Sequence, residues 1–339
     1  LECFQLIQSK VDQKIKPLGS LGKLESLALQ LAELQTRRSS QCAQQLELCS
    51  PHLLIFCADH GVVAQGVSVA PQQVTQIMLE SFLKGHAACN CFCETHDVPL
   101  TVVNSGLHDL TDISHVNLVT QSQGRGTKNL FFESAMTVEQ VSEGLILGGQ
   151  RVQQLTNTGV NCVCLGEMGI GNTTSASALL AALTGWPVDQ CVGRGSGIDE
   201  HQMRQKMAVV SEAISRCTHL SLEGTVAEFG GYEIVQLVGA ILKAAHCHVP
   251  IIIDGFIVTV AAYIATLMDP SCRDVMIFSH VSNENAHSSL LDLLNAESLL
   301  DLDLRLGEGT GAVLAVPLVR SSIAFYNGMA SLSDVGIAL

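Results

Sequence analysis

Two glycine-flanked carboxylates are the residues best placed for proton chemistry. Glu308 lies in Arg305-Leu306-Gly307-Glu308-Gly309-Thr310-Gly311, and Glu167 in Gly166-Glu167-Met168-Gly169-Ile170-Gly171-Asn172-Thr173-Thr174. Glycine neighbours let a ligand approach closely, and burial raises a carboxyl pKa toward a value suited to accepting a proton. Glu308 is the candidate general base. In the second stretch, Gly169, Ile170, Gly171, Asn172, Thr173 and Thr174 join an apolar run to a small-residue run, which reads as strand, turn, helix. Free N–H groups at such a helix start favour an anion such as phosphate. Arg194, in a flexible loop with Gly195 and Ser196, or Lys206, about two turns into the next helix, would add positive charge to that site.

The spacing narrows the anion. The order G-x-x-x-x-G-K-[ST] is absent, and the glycines after Gly169-Ile170-Gly171 do not complete G-x-G-x-x-G. A single phosphate fits better than a triphosphate or a dinucleotide. No G-x-S-x-G marks a serine nucleophile. Asp59, His60, Asp254, His280, Glu284 and His287 are metal-ligand types near strand ends, but no pair has a recognised metal spacing. A metal-dependent hydrolase is thus a minor alternative.

Positioning these residues requires a sheet. Apolar runs at Leu53–Cys57, Leu100–Val103, Val160–Leu165, Val249–Ile253 and Val275–Phe278 each end in polar or glycine residues, among them Asp59-His60, Asn104, Glu167, Asp254 and His280. Helical segments alternate with them, notably from Thr137 with its Thr-x-x-Gln140 capping pattern and over Ile198–Cys217. Continuous apolar strands alternating with helices predict an α/β fold with a parallel, Rossmann-like sheet covered on both faces. Ligands of such sheets bind beyond the carboxyl ends of the strands, where the polar residues collect. Helices over 17–34, from Pro71 toward Cys93, and over 312–330 complete the reading. The expected division is 1–50 and 312–339 as a small helical subdomain from both chain ends, around a large domain at 51–311.

With 339 residues, 47% of them hydrophobic and 15% charged, the chain has ample core. A net charge of −14 argues against nucleic acid or an anionic membrane as partner. The 13 cysteines fall mainly on apolar stretches, so reduced core thiols are expected rather than a disulfide framework. Asp254 and Gly255 interrupt the most membrane-like run, Val249–Met268, and no signal peptide is visible, so the expected location is the cytoplasm.

Taken together, Lys16-Pro17-Leu18-Gly19-Ser20-Leu21-Gly22, Ala58-Asp59-His60-Gly61-Val62, the stretch 166–174, Gly193-Arg194-Gly195-Ser196-Gly197, Asp254-Gly255-Phe256 and Arg305-Leu306-Gly307-Glu308-Gly309 resemble, in this order, the nicotinate-nucleotide:dimethylbenzimidazole phosphoribosyltransferase family. The resemblance implies transfer of a 5-phosphoribosyl group from nicotinate mononucleotide to 5,6-dimethylbenzimidazole, with no metal or other cofactor, by a homodimer. It implies Glu308 as base, and the 169–174 turn with Lys206 as the phosphate site. A departure concerns the acceptor pocket, where Met78 and Leu79 give an apolar wall, so a related base is an open choice. A non-catalytic binder of the same nucleotide is the alternative reading.

Overall fold

The computed structural model describes residues 2–109, 113–195, 197–217 and 219–336. In chain order the elements are α1 (Glu2–Asp12), α2 (Lys23–Ser39), β1 (Pro51–Ala58), α3 (Val74–Lys84), α4 (Ala88–Thr95), β2 (Leu100–Gly106), β3 (Leu118–Thr120), α5 (Val138–Asn157) and β4 (Cys162–Met168). There follow α6 (Asn172–Thr184), α7 (Val188–Cys191), α8 (Glu200–Ser215), α9 (Leu222–Phe229), α10 (Tyr232–Cys247), β5 (Ile251–Ile253) and α11 (Phe256–Met268). The chain closes with β6 (Met276–Phe278), β7 (His280–Val281), α12 (His287–Leu293), β8 (Leu300–Asp301) and α13 (Thr310–Gly328).

Six strands form one sheet in the order β3-β2-β1-β4-β5-β6, every neighbouring pair parallel. This is the winding order of doubly wound nucleotide-binding sheets, and the winding reverses between β1 and β4. The crevice above that reversal is flanked by the ends of the two strands, at Asp59-His60 and Glu167. β7 and β8 pair as a separate two-stranded ribbon beyond β6.

The strands are apolar on both faces because both faces are covered. On β1, Leu54, Phe56 and Ala58 enter one core, built with α6, α10 and α11. The alternate residues Leu53, Ile55 and Cys57 enter a second core, with Leu27 and Leu31 of α2, Cys89 and Cys93 of α4, and Val313 and Val316 of α13. The chain ends do meet: Lys14 pairs with Ser331, and Tyr326 Oη donates to the Ala43 carbonyl at 2.8 Å. Their apolar faces merge with the sheet's second core instead of closing on one another. β1 starts at Pro51, and α13 runs across residue 311.

Local signals account for where helices begin and end. Thr137 and Gln140 form the expected capping box, and Asp199 caps α8 by accepting from Gln202 N at 2.8 Å. The helix expected from Pro71 toward Cys93 is two helices, broken where Gly85 adopts φ +76° and ends α3. The helix expected from Pro17 begins only at Lys23, after a turn in which Gly19 and Gly22 take positive φ. One expectation about cysteine is corrected: Cys3 of α1 and Cys42, after α2, form a disulfide across 39 residues. Neither position carried a pairing signal. Among the described residues, no helix is long and apolar enough to cross a membrane.

Candidate active site

The turn after β4 is shaped by what it packs on. A Cβ on Gly169 would come within 2.5 Å of the Ala58 carbonyl oxygen, and one on Gly171, itself at φ +92°, within 2.8 Å of Val63 Cγ2. The ends of β1 and β4 approach so closely that only glycine fits. Thr75 Oγ1 accepts from Ile170 N at 3.1 Å, and α6 starts at Asn172, lining the cleft with its first turn. Beneath the turn, His60 Nε2 sits 2.5 Å from Glu233 Oε1, both residues buried. Asp59 Oδ2 accepts from His108 N at 2.8 Å. Asp59 and His60 thus support the turn from below and do not line the cleft.

Opposite the start of α6 stands Lys206, projected from α8 and only 1% exposed. Its Nζ donates to Thr173 Oγ1 at 2.8 Å and to the Gly193 carbonyl at 3.0 Å. Burial pulls its pKa down to about 8, opposed by the carboxylate of Glu284. Gly195, at φ +53°, lies against Thr173 Oγ1, where an added Cβ would be 3.1 Å away. Arg194 lines the cleft, but its guanidinium is held by Glu200 and by the Ile198 carbonyl. Ser196 lies outside the described residues.

The second glycine turn closes the other side. Glu308 has φ +63° between Gly307 at +81° and Gly309 at +77°, a left-handed run costly for a residue with a side chain. Asp254 holds it there: Oδ2 accepts from Gly309 N at 3.1 Å and Oδ1 from Ala312 N at 3.0 Å, capping α13. Both Asp254 oxygens are committed to the turn, and Asp254 does not line the cleft. The two glycine turns touch, since a Cβ on Gly166 would meet Gly309 N at 2.5 Å and Glu308 C at 2.7 Å.

Glu308 is buried, and its Oε2 has no hydrogen-bond partner among the described residues. Burial, then repulsion from Asp254, pushes its pKa up to about 7. The Glu167 carboxyl is held well above the usual carboxylate range by burial, with Asp254, Glu233 and Glu308 adding repulsion. Asn172 Nδ2 donates to its Oε2.

A cavity of about 550 Å³ joins these groups: Glu167, residues 169–173, Arg194, Gly195, Lys206, Glu308 and Met78 all line it. Thr174 is fully buried behind the turn. Met78 forms an apolar wall with Val67, Ala70 and Val74, while Leu79, expected beside it, points into the second core. His280, read from the sequence as one of the polar strand-end residues, also lines the cavity, as do Ser282, Glu284 and Arg305, to which sequence reasoning assigned no part in substrate binding. The residues of the β7 strand form a run too short for any periodicity to place them. His280 and His287 do not pair as ligands: His287 Nε2 contacts Thr259 Oγ1 at 2.9 Å and its Nδ1 accepts from Ser282 N at 2.7 Å.

A family model described as a phosphoribosyltransferase matches residues 2–337. The chain belongs to this phosphoribosyltransferase family. As a phosphoribosyltransferase it is a pentosyl-transferring enzyme. It is 48% identical over 333 residues, covering 98% of this chain and 97% of the relative, to the nicotinate-nucleotide–dimethylbenzimidazole phosphoribosyltransferase of Vibrio cholerae. The protein of the same name from Vibrio vulnificus is 50% identical over 333 residues with the same coverages, 98% and 97%. The crystal structure of CobT from Thermus thermophilus superposes with a TM-score of 0.94 at 39% identity, over 100% of this chain and 99% of that one. The phosphoribosyltransferase sheet and its two glycine turns thus belong to a fold shared along the whole chain.

Proposed function

We propose that the enzyme transfers the 5-phosphoribosyl group of nicotinate mononucleotide to 5,6-dimethylbenzimidazole or a related base, giving α-ribazole 5′-phosphate and nicotinate. The observation that carries this reading is one cavity with three chemically distinct parts: a buried cation at a helix start, a buried carboxyl with a free oxygen, and an apolar wall. The 5′-phosphate sits at residues 169–173, backed by Thr174, with Lys206 and Gly195, fixing the sugar so that its anomeric carbon faces the acceptor. The donor's pyridinium leaves with the C–N bonding pair as nicotinate, its ring nitrogen now neutral, so it needs no acid. The azole nitrogen forms the new C–N bond from the opposite face, with inversion. The proton on its second nitrogen passes to Glu308, whose pKa of about 7 suits a base at neutral pH. Glu167, beside the sugar, offsets the positive charge that develops on it. Asp59, His60 and Asp254 keep the two turns in place, and Met78 packs against the flat acceptor ring. Arg194 serves through the 193–195 loop. The family resemblance also supports a homodimer working in the cytoplasm.

The test incubates purified protein with nicotinate mononucleotide and dimethylbenzimidazole, with and without chelator. Release of nicotinate that requires the azole and ignores the chelator is expected. Nucleotide binding without release would overturn transfer in favour of a binding protein.

A further inference from the structure

His280 is a cleft residue that the transfer mechanism leaves unused. It opens β7, is 2% exposed, and lines the cavity. Two helix starts leave room for its ring: a Cβ on Gly311 would overlap Nδ1, and one on Gly255 would stand 3.5 Å from Nε2.

The contacts around the ring favour a proton on Nδ1. Ser279 Oγ is 3.3 Å from the Asp254 main-chain carbonyl, which can only accept, so the hydroxyl proton points there. The same Oγ is 2.9 Å from His280 Nδ1 and must therefore accept from Nδ1–H. The Asp254 carboxylate, 3.8 Å from Nδ1, favours the same arrangement. Burial lowers the imidazole pKa, which keeps the ring neutral. Nε2 is left with a lone pair, and among the described residues no protein group donates to it.

The chemistry of the cleft restricts what can meet that lone pair. Phosphate oxygens and the nicotinate carboxylate are themselves acceptors, and the azole N–H is assigned to Glu308. His280 packs on Gly311 just after the base turn, and four residues further on Glu284 packs on Gly193 beside Lys206. With phosphate and base placed as proposed above, the donor's sugar lies between those two ends. We propose that His280 Nε2 accepts a hydrogen bond from a ribose hydroxyl of the donor, anchoring the sugar and strengthening its hold as the anomeric carbon becomes positive. This rests on the donor assigned above. Accepting that proton enriches the sugar oxygen in electron density, so the bond tightens toward the transition state.

The test compares kcat/KM for nicotinate mononucleotide and its 2′-deoxy and 3′-deoxy analogues in wild type, His280→Ala and His280→Gln. With the full donor, His280→Ala is expected to lower kcat/KM about tenfold or more. With the analogue lacking the partner hydroxyl, the difference between wild type and variant should shrink to about twofold. His280→Gln, whose amide oxygen can accept at similar reach, should recover part of the loss, and it carries the comparison if the alanine variant does not fold. An undiminished loss with both deoxy donors would overturn the role of His280. No nicotinate release by wild type would overturn the donor assignment itself, a distinct result.

Discussion

Glu308 combines a left-handed backbone, a partnerless oxygen and a raised pKa. Replacing it by Gln should lower kcat by roughly 10²- to 10⁴-fold with little change in the KM for nicotinate mononucleotide. The wild-type rate should rise with pH through about 7, since the base must be unprotonated. The same shift bears on stability with a fixed sign. A carboxyl whose folded pKa is raised holds its proton longer in the native state, so stability falls as pH rises from the unfolded value near 4.5 to the folded value near 7. Glu308→Gln should therefore melt at a higher temperature than wild type at pH 8, by the equivalent of about 2–3 kcal/mol, and the gain should vanish near pH 4. Thermal melts at the two pH values check this. Lys206 titrates in the opposite direction: above a pH of about 8 it loses its charge, so the KM for the nucleotide should rise there, and Lys206→Gln should raise it at all pH values.

Glu308, Glu167 and Lys206 were legible in the sequence because each sits in or just beyond a glycine pattern that predicts a turn. Asp59, His60 and Asp254 were legible as residues at strand ends, but strand-end position does not say which side of a turn a side chain takes. They lie beneath the turns, bonded to Glu233, His108 N and the start of α13. His280 was legible only as a strand-end residue without a role, and Ser282 and Arg305 were given none, because nothing local distinguishes a residue facing the cleft from one in the adjoining loop.

Among the elements, β4 and the turn before α13 form the contact on which base placement depends. Gly166 leaves no space for a side chain against the Glu308–Gly309 backbone. Gly166→Ala should push that turn away from Asp254 and lower kcat at least tenfold, with a reduced melting temperature, because the added carbon meets backbone that cannot swing aside. Steady-state kinetics alongside a melt separates the displaced turn from simple unfolding. The five strands expected from apolar runs are all present, since strands buried on both faces announce themselves as continuous hydrophobic stretches. The edge strand β3 and the β7–β8 ribbon, of three and two residues per strand, are too short to do so.

For the molecule as a whole, the Cys3–Cys42 bridge ties α1 to the segment after α2, far along the chain from either glycine turn. Reduction, or Cys3→Ser, should lower the melting temperature through the roughly 4 kcal/mol that closing such a loop supplies, while kcat stays within about twofold of wild type.

The carboxyls of Glu167, Asp254 and Glu308 all have raised pKa values, so the free enzyme keeps protons that isolated carboxyls would have lost. A donor carrying a fixed pyridinium charge reverses that balance on arrival. Nucleotide binding should therefore expel protons to the solvent, and affinity should strengthen with rising pH near neutrality, up to about tenfold per unit for each proton released. Calorimetry in two buffers of different ionisation heat counts those protons. Ribose 5-phosphate, which has the phosphate without the ring cation, should release fewer, and an equal release by the two ligands would remove the cleft carboxyls as the source.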